Sequence, residues 1–120
     1  MERVRLIEHK GRKILLIDYS HLKKSEEVLP VINQLETFVR TVKTKQLFLT
    51  DATDGVANKE IMDSLKRVAK VCKDLDVVEK ECIVGITGLK KVLLKAVNAF
   101  AKSNVVMKNS LEEAKDWLVE

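Results

Sequence analysis

A chain of 120 residues matches the usual size of one domain. It is long enough to bury about two thirds of the surface its unfolded form exposes, so one core spanning residues 1–120 is expected without covalent staples. With 46% hydrophobic and 33% charged residues, 4 Gly and 1 Pro, the composition excludes a disordered chain. The net charge of +4 is spread along the sequence and aromatics make up only 4%, which argues against a basic, ring-studded face for nucleic acid.

Residues 3–8 alternate charged and apolar side chains, with Val4 and Leu6 on one face, and His9-Lys10-Gly11-Arg12 follows as a turn. Residues 13–20 contain the unbroken apolar run Ile14-Leu15-Leu16-Ile17, the pattern of a strand buried on both faces. The chain therefore opens with a hairpin, its first strand at an edge and its second central. Ser25 is placed to cap a helix carrying Glu26 and Glu27 in its first turn. Val28, Ile32, Leu35, Val39 and Val42 form the stripe of that helix. Pro30 falls too deep for the tolerated first position, so this helix is expected to start late or bend.

Residues 46–50 give a buried strand around Leu47-Phe48-Leu49, and the polar segment Thr50-Asp51-Ala52-Thr53-Asp54-Gly55 follows. Asn58 caps the next helix, whose stripe is Ile61, Leu65, Val68 and Cys72, with Met62 and Ala69 beside it. Residues 81–86 give the next buried strand, and Thr87-Gly88 leads into a helix over 89–102 with Leu89, Val92, Leu93, Ala96, Val97 and Phe100 inward. Lys91, Lys95 and Lys102 lie on the other side of that helix; core packing explains its amphipathicity better than a membrane surface does. Val105-Val106-Met107 is a short last strand. Ser110-Leu111-Glu112-Glu113 matches a capping box, and Trp117 and Leu118 dock the final helix on the sheet.

The order β-β-α-β-α-β-α-β-α implies an α/β fold: one mainly parallel sheet with an antiparallel N-terminal hairpin, right-handed crossovers and helices packed on it. Cys72 and Cys82 lack CxxC spacing and suit small core positions. Met1-Glu2-Arg3 runs directly into a charged strand, and no apolar run approaches the ~20 residues of a membrane span. A cytoplasmic chain with reduced thiols and no stable membrane insertion is the expectation.

In such sheets ligands gather at the carboxyl ends of strands, near helix N-termini. That rule selects 18–21, 50–58 and 87–91. In the 50–58 segment, Asp51 and Asp54 stand three apart among the hydroxyls of Thr50 and Thr53, close to Asn58. A hard cation suits two carboxylates, and Asx-turns and helix capping account for the same residues. Thr87, Gly88, Lys90 and Lys91 offer a helix start, an open backbone and two cations for an anion, without the Gly-rich run of a phosphate loop. These nine residues are the candidate ligand or partner site. Asp18, Asp51, Thr87 and Lys108 resemble a receiver-domain set, but the count of strand–helix units excludes that fold. His9 and His21 join no nucleophile arrangement, and no metal-ligand spacing occurs, so neither catalysis nor a cofactor is expected.

The stretches Ile14-Leu15-Leu16-Ile17-Asp18-Tyr19-Ser20, Leu49-Thr50-Asp51-Ala52-Thr53 and Val84-Gly85-Ile86-Thr87-Gly88-Leu89-Lys90-Lys91 resemble the SpoIIAA-like branch of the STAS domains. The closing Leu111-Glu112-Glu113-Ala114-Lys115-Asp116-Trp117-Leu118 is similar to their last helix. The resemblance spans nearly the whole chain. It implies a non-catalytic regulatory or protein-interaction module, in some members switched by phosphorylation of a serine at the start of the helix after the third strand. Here that region reads Gly55-Val56-Ala57-Asn58-Lys59-Glu60 and lacks the acceptor; Thr53 is the nearest hydroxyl. The related CRAL-TRIO architecture implies the alternative, an apolar small molecule or lipid held between sheet and helices, for which Leu89, Val92, Leu93 and Phe100 are candidate linings. The partner is thus an unknown protein or a small apolar ligand, and a homodimer is compatible with either.

Overall fold

The computed structural model describes residues 2–101 and 104–120; for Leu89, Lys90, Leu93, Phe100 and Ala101 it describes the backbone alone. Strands β1 (Val4–His9) and β2 (Arg12–Asp18) form the expected hairpin. Lys10 and Gly11 join them, both at positive φ, as a two-residue turn requires when it must follow the right-handed strand twist. The chain then alternates: α1 (Ser25–Val39), β3 (Gln46–Asp51), α2 (Lys59–Leu75), β4 (Val78–Val84), α3 (Leu89–Ala101), β5 (Val106–Lys108) and α4 (Leu111–Val119). The sheet runs β1-β2-β3-β4-β5, antiparallel at the first pair and parallel thereafter.

The period-two alternation of the strands divides the core. Leu15, Ile17 and Phe48 face α1 and α2, packing on Val28, Ile32, Leu35, Val39, Ile61, Val68 and Cys72. Ile14, Leu16, Leu47, Leu49, Cys82 and Val84 face the opposite way, onto Ala114 and Leu118 of α4. Both thiols are free and buried, one on each side of the sheet.

Several local expectations change. Ser25 is the first residue of α1 rather than its cap. Lys24 holds the cap position without a side-chain bond, while Ser25 Oγ accepts from Asn58 Nδ2 at 2.7 Å. The helix does not start late: it begins at Ser25 and runs on through Pro30, because burial of Val28, Val31, Ile32 and Leu35 outweighs the one hydrogen bond that proline removes. Strand β4 starts three residues earlier than the apolar run suggests and ends at Val84; Gly85, at φ +82°, turns the chain away. In α3 the inward residues are Leu94 and Val97, whereas Val92 is 61% exposed and Ala96 is exposed. A helix apolar on most sides does not fix its own rotational phase. The side chains of Leu89, Leu93 and Phe100 and the whole of Lys102 lie outside the described residues. Among the described residues no helix is long and apolar enough to cross a membrane.

Candidate functional site

The strand-end loops are tied together by backbone bonds that prolong the sheet. Tyr19 N–H donates to Asp51 O at 2.9 Å, His21 N–H to Thr53 O at 2.9 Å, Ala52 N–H to Val84 O at 2.9 Å, and Val56 N–H to Leu22 O at 3.1 Å. Gly85 lies against the same segment: a Cβ added there would come within 2.6 Å of Thr53 Cα. The 50–58 segment is therefore clamped between its neighbours.

Its polar side chains are engaged within that framework. Asp51 Oδ1 accepts from Thr53 N–H at 3.0 Å, closing an Asx-turn. Asp54, at φ +53°, pairs with Lys23 and lies 3.2 Å from His21 Nδ1; the Lys23 hydrogen bond, then that of His21, holds its carboxyl below the usual range. Asn58 Oδ1 accepts from Ile61 N–H at 2.9 Å as the cap of α2, while its amide reaches Ser25, so one side chain joins the starts of α1 and α2. At the neighbouring strand end, burial raises the Asp18 pKa, but the hydroxyl and N–H of Ser20, aided by Arg3, outweigh it and bring the carboxyl below its ordinary value. Thr87, Gly88 and Lys91 stand exposed at the start of α3, and Gly88 takes φ +55° with open space beside it. The side chain of Lys90 lies outside the described residues.

The other feature is an apolar pocket. A cavity of about 150 Å³ lies between the sheet and helices α1, α2 and α3. That volume is of the size that holds a benzene-like molecule. Its wall is hydrocarbon from Ile17, Phe48 and Ile83 on the sheet, Leu65, Val68 and Ala69 on α2, and Leu94 and Val97 on α3. At the strand ends Ala52, Gly55, Val56 and Ala57 complete it. Of the nine residues expected at the site, Thr50 lines this cavity; Asp51, Thr53, Asp54, Asn58, Thr87, Gly88 and Lys91 are not among its lining residues.

Three further polar groups line it: Tyr19, Cys72 and Glu81. Each is shifted toward its neutral form. Burial, with the Cys72 thiol adding to it, drives the Tyr19 hydroxyl well above its ordinary pKa; that hydroxyl is buried without a hydrogen-bond partner among the described residues. Burial, reinforced by Glu81, pushes Cys72 up to about 12. Glu81 has no hydrogen-bond or ion-pair partner among the described residues, and burial alone raises it to about 7. Beyond Glu81 a second cleft of about 340 Å³ shares Ala69, Cys72 and Glu81 with the cavity and reaches Lys73, Asp76, Lys80, Asn104 and Trp117. It runs along the edge of β4 that β5 leaves uncovered, since β5 pairs only with Cys82, Ile83 and Val84.

Sequence reasoning that looked for polar clusters at strand ends passed over Cys72 and Glu81, and took in Tyr19 only as part of the 18–21 segment. The available signal was phase. Tyr19 continues the Leu15, Ile17 face of β2, and Glu81 shares its face with Ile83, so an acid stands where an apolar residue is expected.

Among the described residues no cluster of three or more His, Cys, Asp or Glu could hold a metal ion. No family model matches the sequence, and no curated protein matches it. Among solved structures, the chain is similar to an uncharacterized protein of the DUF3478 family with a SpoIIAA-like fold from Shewanella loihica PV-4. The two share 18% identity and superpose with a TM-score of 0.68, over 96% of this chain and 91% of that one. With a five-stranded sheet of mixed direction and the same course through nearly its whole length, this chain has a SpoIIAA-like fold.

Proposed function

We propose that the protein is a non-catalytic, ligand-responsive binding module that takes a small, mainly apolar molecule into the cavity between its sheet and helices. The observation that carries this reading is the cavity itself, whose wall is almost wholly hydrocarbon. The 52–57 segment connects it to regulation. Ala52, Gly55, Val56 and Ala57 line the void, while Thr53 and Asp54 between them are exposed, so occupancy is felt on the surface where a protein partner would dock. Among the described residues the large exposed apolar side chains, Leu6, Leu75, Val92, Met107 and Leu111, are outside the 52–57 segment, which favours the ligand as the primary event.

A non-catalytic role is supported by the state of the ionisable groups. A thiol held near 12 supplies almost no thiolate at neutral pH, so Cys72 makes a poor nucleophile. The carboxylates of the 50–58 segment already serve turns and ion pairs.

Toluene is the simplest probe. It should raise the melting temperature of the wild-type protein in a concentration-dependent way, as any ligand that binds only the folded state does. Ala69→Leu, which fills the void from α2, should abolish that shift while leaving the protein folded. A wild-type melting temperature indifferent to saturating toluene would overturn the reading.

A further inference from the structure

We infer that the cavity selects a ligand bearing one protonated amine on a small hydrocarbon body, with Glu81 as the counter-charge. This inference rests on the cavity reading above and specifies the ligand's class.

The geometry is that of an amphiphile's site. Glu81 lines both the apolar cavity and the more polar cleft beside it, so a hydrocarbon group seated in the cavity leaves its polar head at the cleft end. The carboxyl there is unpartnered among the described residues, and it offers acceptor sites for two or three N–H donors. No lysine, arginine or histidine is among the described residues lining the cavity. An anionic ligand would meet the Glu81 carboxylate, which no cation among the described cavity-lining residues offsets, and a wholly apolar one would leave that half-buried carboxyl without a partner among the described residues. An ammonium group satisfies both demands, because charge-assisted hydrogen bonds replace the lost hydration of acid and amine together.

The surrounding charges do not already do this work. On the cleft side, Glu79 is paired with Arg12 at 3.0 Å, Asp76 with Lys45 at 3.5 Å, and Lys80 reaches across to Trp117 O at 2.5 Å. From α2, Cys72 faces Glu81 as a thiol, and Lys73 on the rim of the cleft is the competing cation. Tyr19 contributes a neutral hydroxyl; Phe48 from β3 and the described side chains Leu94 and Val97 of α3 contribute hydrocarbon.

The test uses four probes of matched size, benzylamine, benzyl alcohol, toluene and benzoate, titrated calorimetrically into the wild-type protein and Glu81→Gln. At pH 8 the wild type should bind benzylamine at least tenfold more tightly than the alcohol or toluene, and benzoate least. Because the acid titrates near 7, benzylamine affinity should fall about tenfold between pH 8 and pH 6, while toluene affinity stays level. Glu81→Gln should bind benzylamine and benzyl alcohol alike. Toluene binding with no benzylamine preference, a preference that survives Glu81→Gln, or benzoate as the favoured probe would each overturn amine selection and leave the cavity reading standing. Failure of all four probes to bind would overturn both. The wild-type pH profile keeps the inference testable even if the variant is poorly folded.

Discussion

The two faces of the sheet are finished to different standards. On one, the nine-residue helix α4 covers Ile14, Leu16, Leu47, Leu49, Cys82 and Val84. Ala114 and Leu118 are fully buried, and the small Ala114 side chain lets the helix come close. Its start is capped by Ser110 Oγ, which accepts from Glu113 N–H at 3.2 Å, and Lys80 Nζ lies 4.2 Å from the centre of the Trp117 ring beside it. On the other face three helices bury more residues and yet leave a cavity, with a tyrosine hydroxyl and an acid that have no partner among the described residues. An unsatisfied buried hydroxyl costs about 1–3 kcal/mol. Burying side chains therefore does not by itself make a face tight, and the looser of the two is the one organised to receive something.

The largest expected effect tests that contrast directly. Leu118→Ala removes a fully buried side chain from the tight face and should cost about 2–5 kcal/mol, because its neighbours cannot collapse into the gap. Leu65→Ala, in the wall of the cavity, should cost clearly less, since a side chain beside a void has fewer atoms to lose contact with. Urea unfolding with unchanged m-values reads both. Equal losses would mean that the two faces are packed alike.

The next effect separates the faces by pH. Glu81 titrates near 7 when folded against 4.5 for the free side chain, so between those values the folded state binds more protons than the unfolded one. Stability therefore falls as pH rises through that window. The full penalty, on the order of 3 kcal/mol at most, is present above pH 7. Glu81→Gln should remove this fall, gaining on the wild type at pH 8 and matching it near pH 4.5. Carboxylates shifted the other way, such as Asp18 and Glu36, lose their contribution in acid in both proteins and cancel in the difference. Parallel stability curves for the two proteins would place Glu81 in water rather than at the cavity.

The fold was largely legible because its signals are local and redundant. The run Ile14-Leu15-Leu16-Ile17 announces a strand buried on both faces, and alternating faces of that one strand account for both halves of the core. Ser110 and Asn58 declare their helix starts by chemistry that needs no tertiary context. The phase of α3 was not legible, since Val92, Leu94 and Val97 are equally apolar and only docking decides that Val92 faces out. Nor was the cavity. Leu65 and Ala69 fall on the same helical stripe whether the space before them is filled or empty, because periodicity records which way a residue points and not what it meets. The polar residues of 50–58 drew attention because they are visible as a cluster, whereas Glu81 stands alone in an apolar strand.

The smallest predicted effect draws the boundary of the looser face. Asn58 caps α2 and bridges to Ser25, but it does not line the cavity. Asn58→Ala should therefore cost about 1 kcal/mol, the usual value of a lost helix cap. Asn58→Asp should recover most of it, since a carboxylate keeps the acceptor for Ile61 N–H, favours the positive end of the helix, and can accept from the Ser25 hydroxyl once that hydroxyl turns to donate. Toluene affinity should be the same in both variants as in the wild type once the difference in stability is allowed for. A drop in affinity with Asn58→Ala alone would show that the start of α2 must be held in place for the cavity to bind. The site would then extend outward into the 50–58 loop, and the polar residues at the strand end would join the hydrocarbon wall as parts of one binding unit.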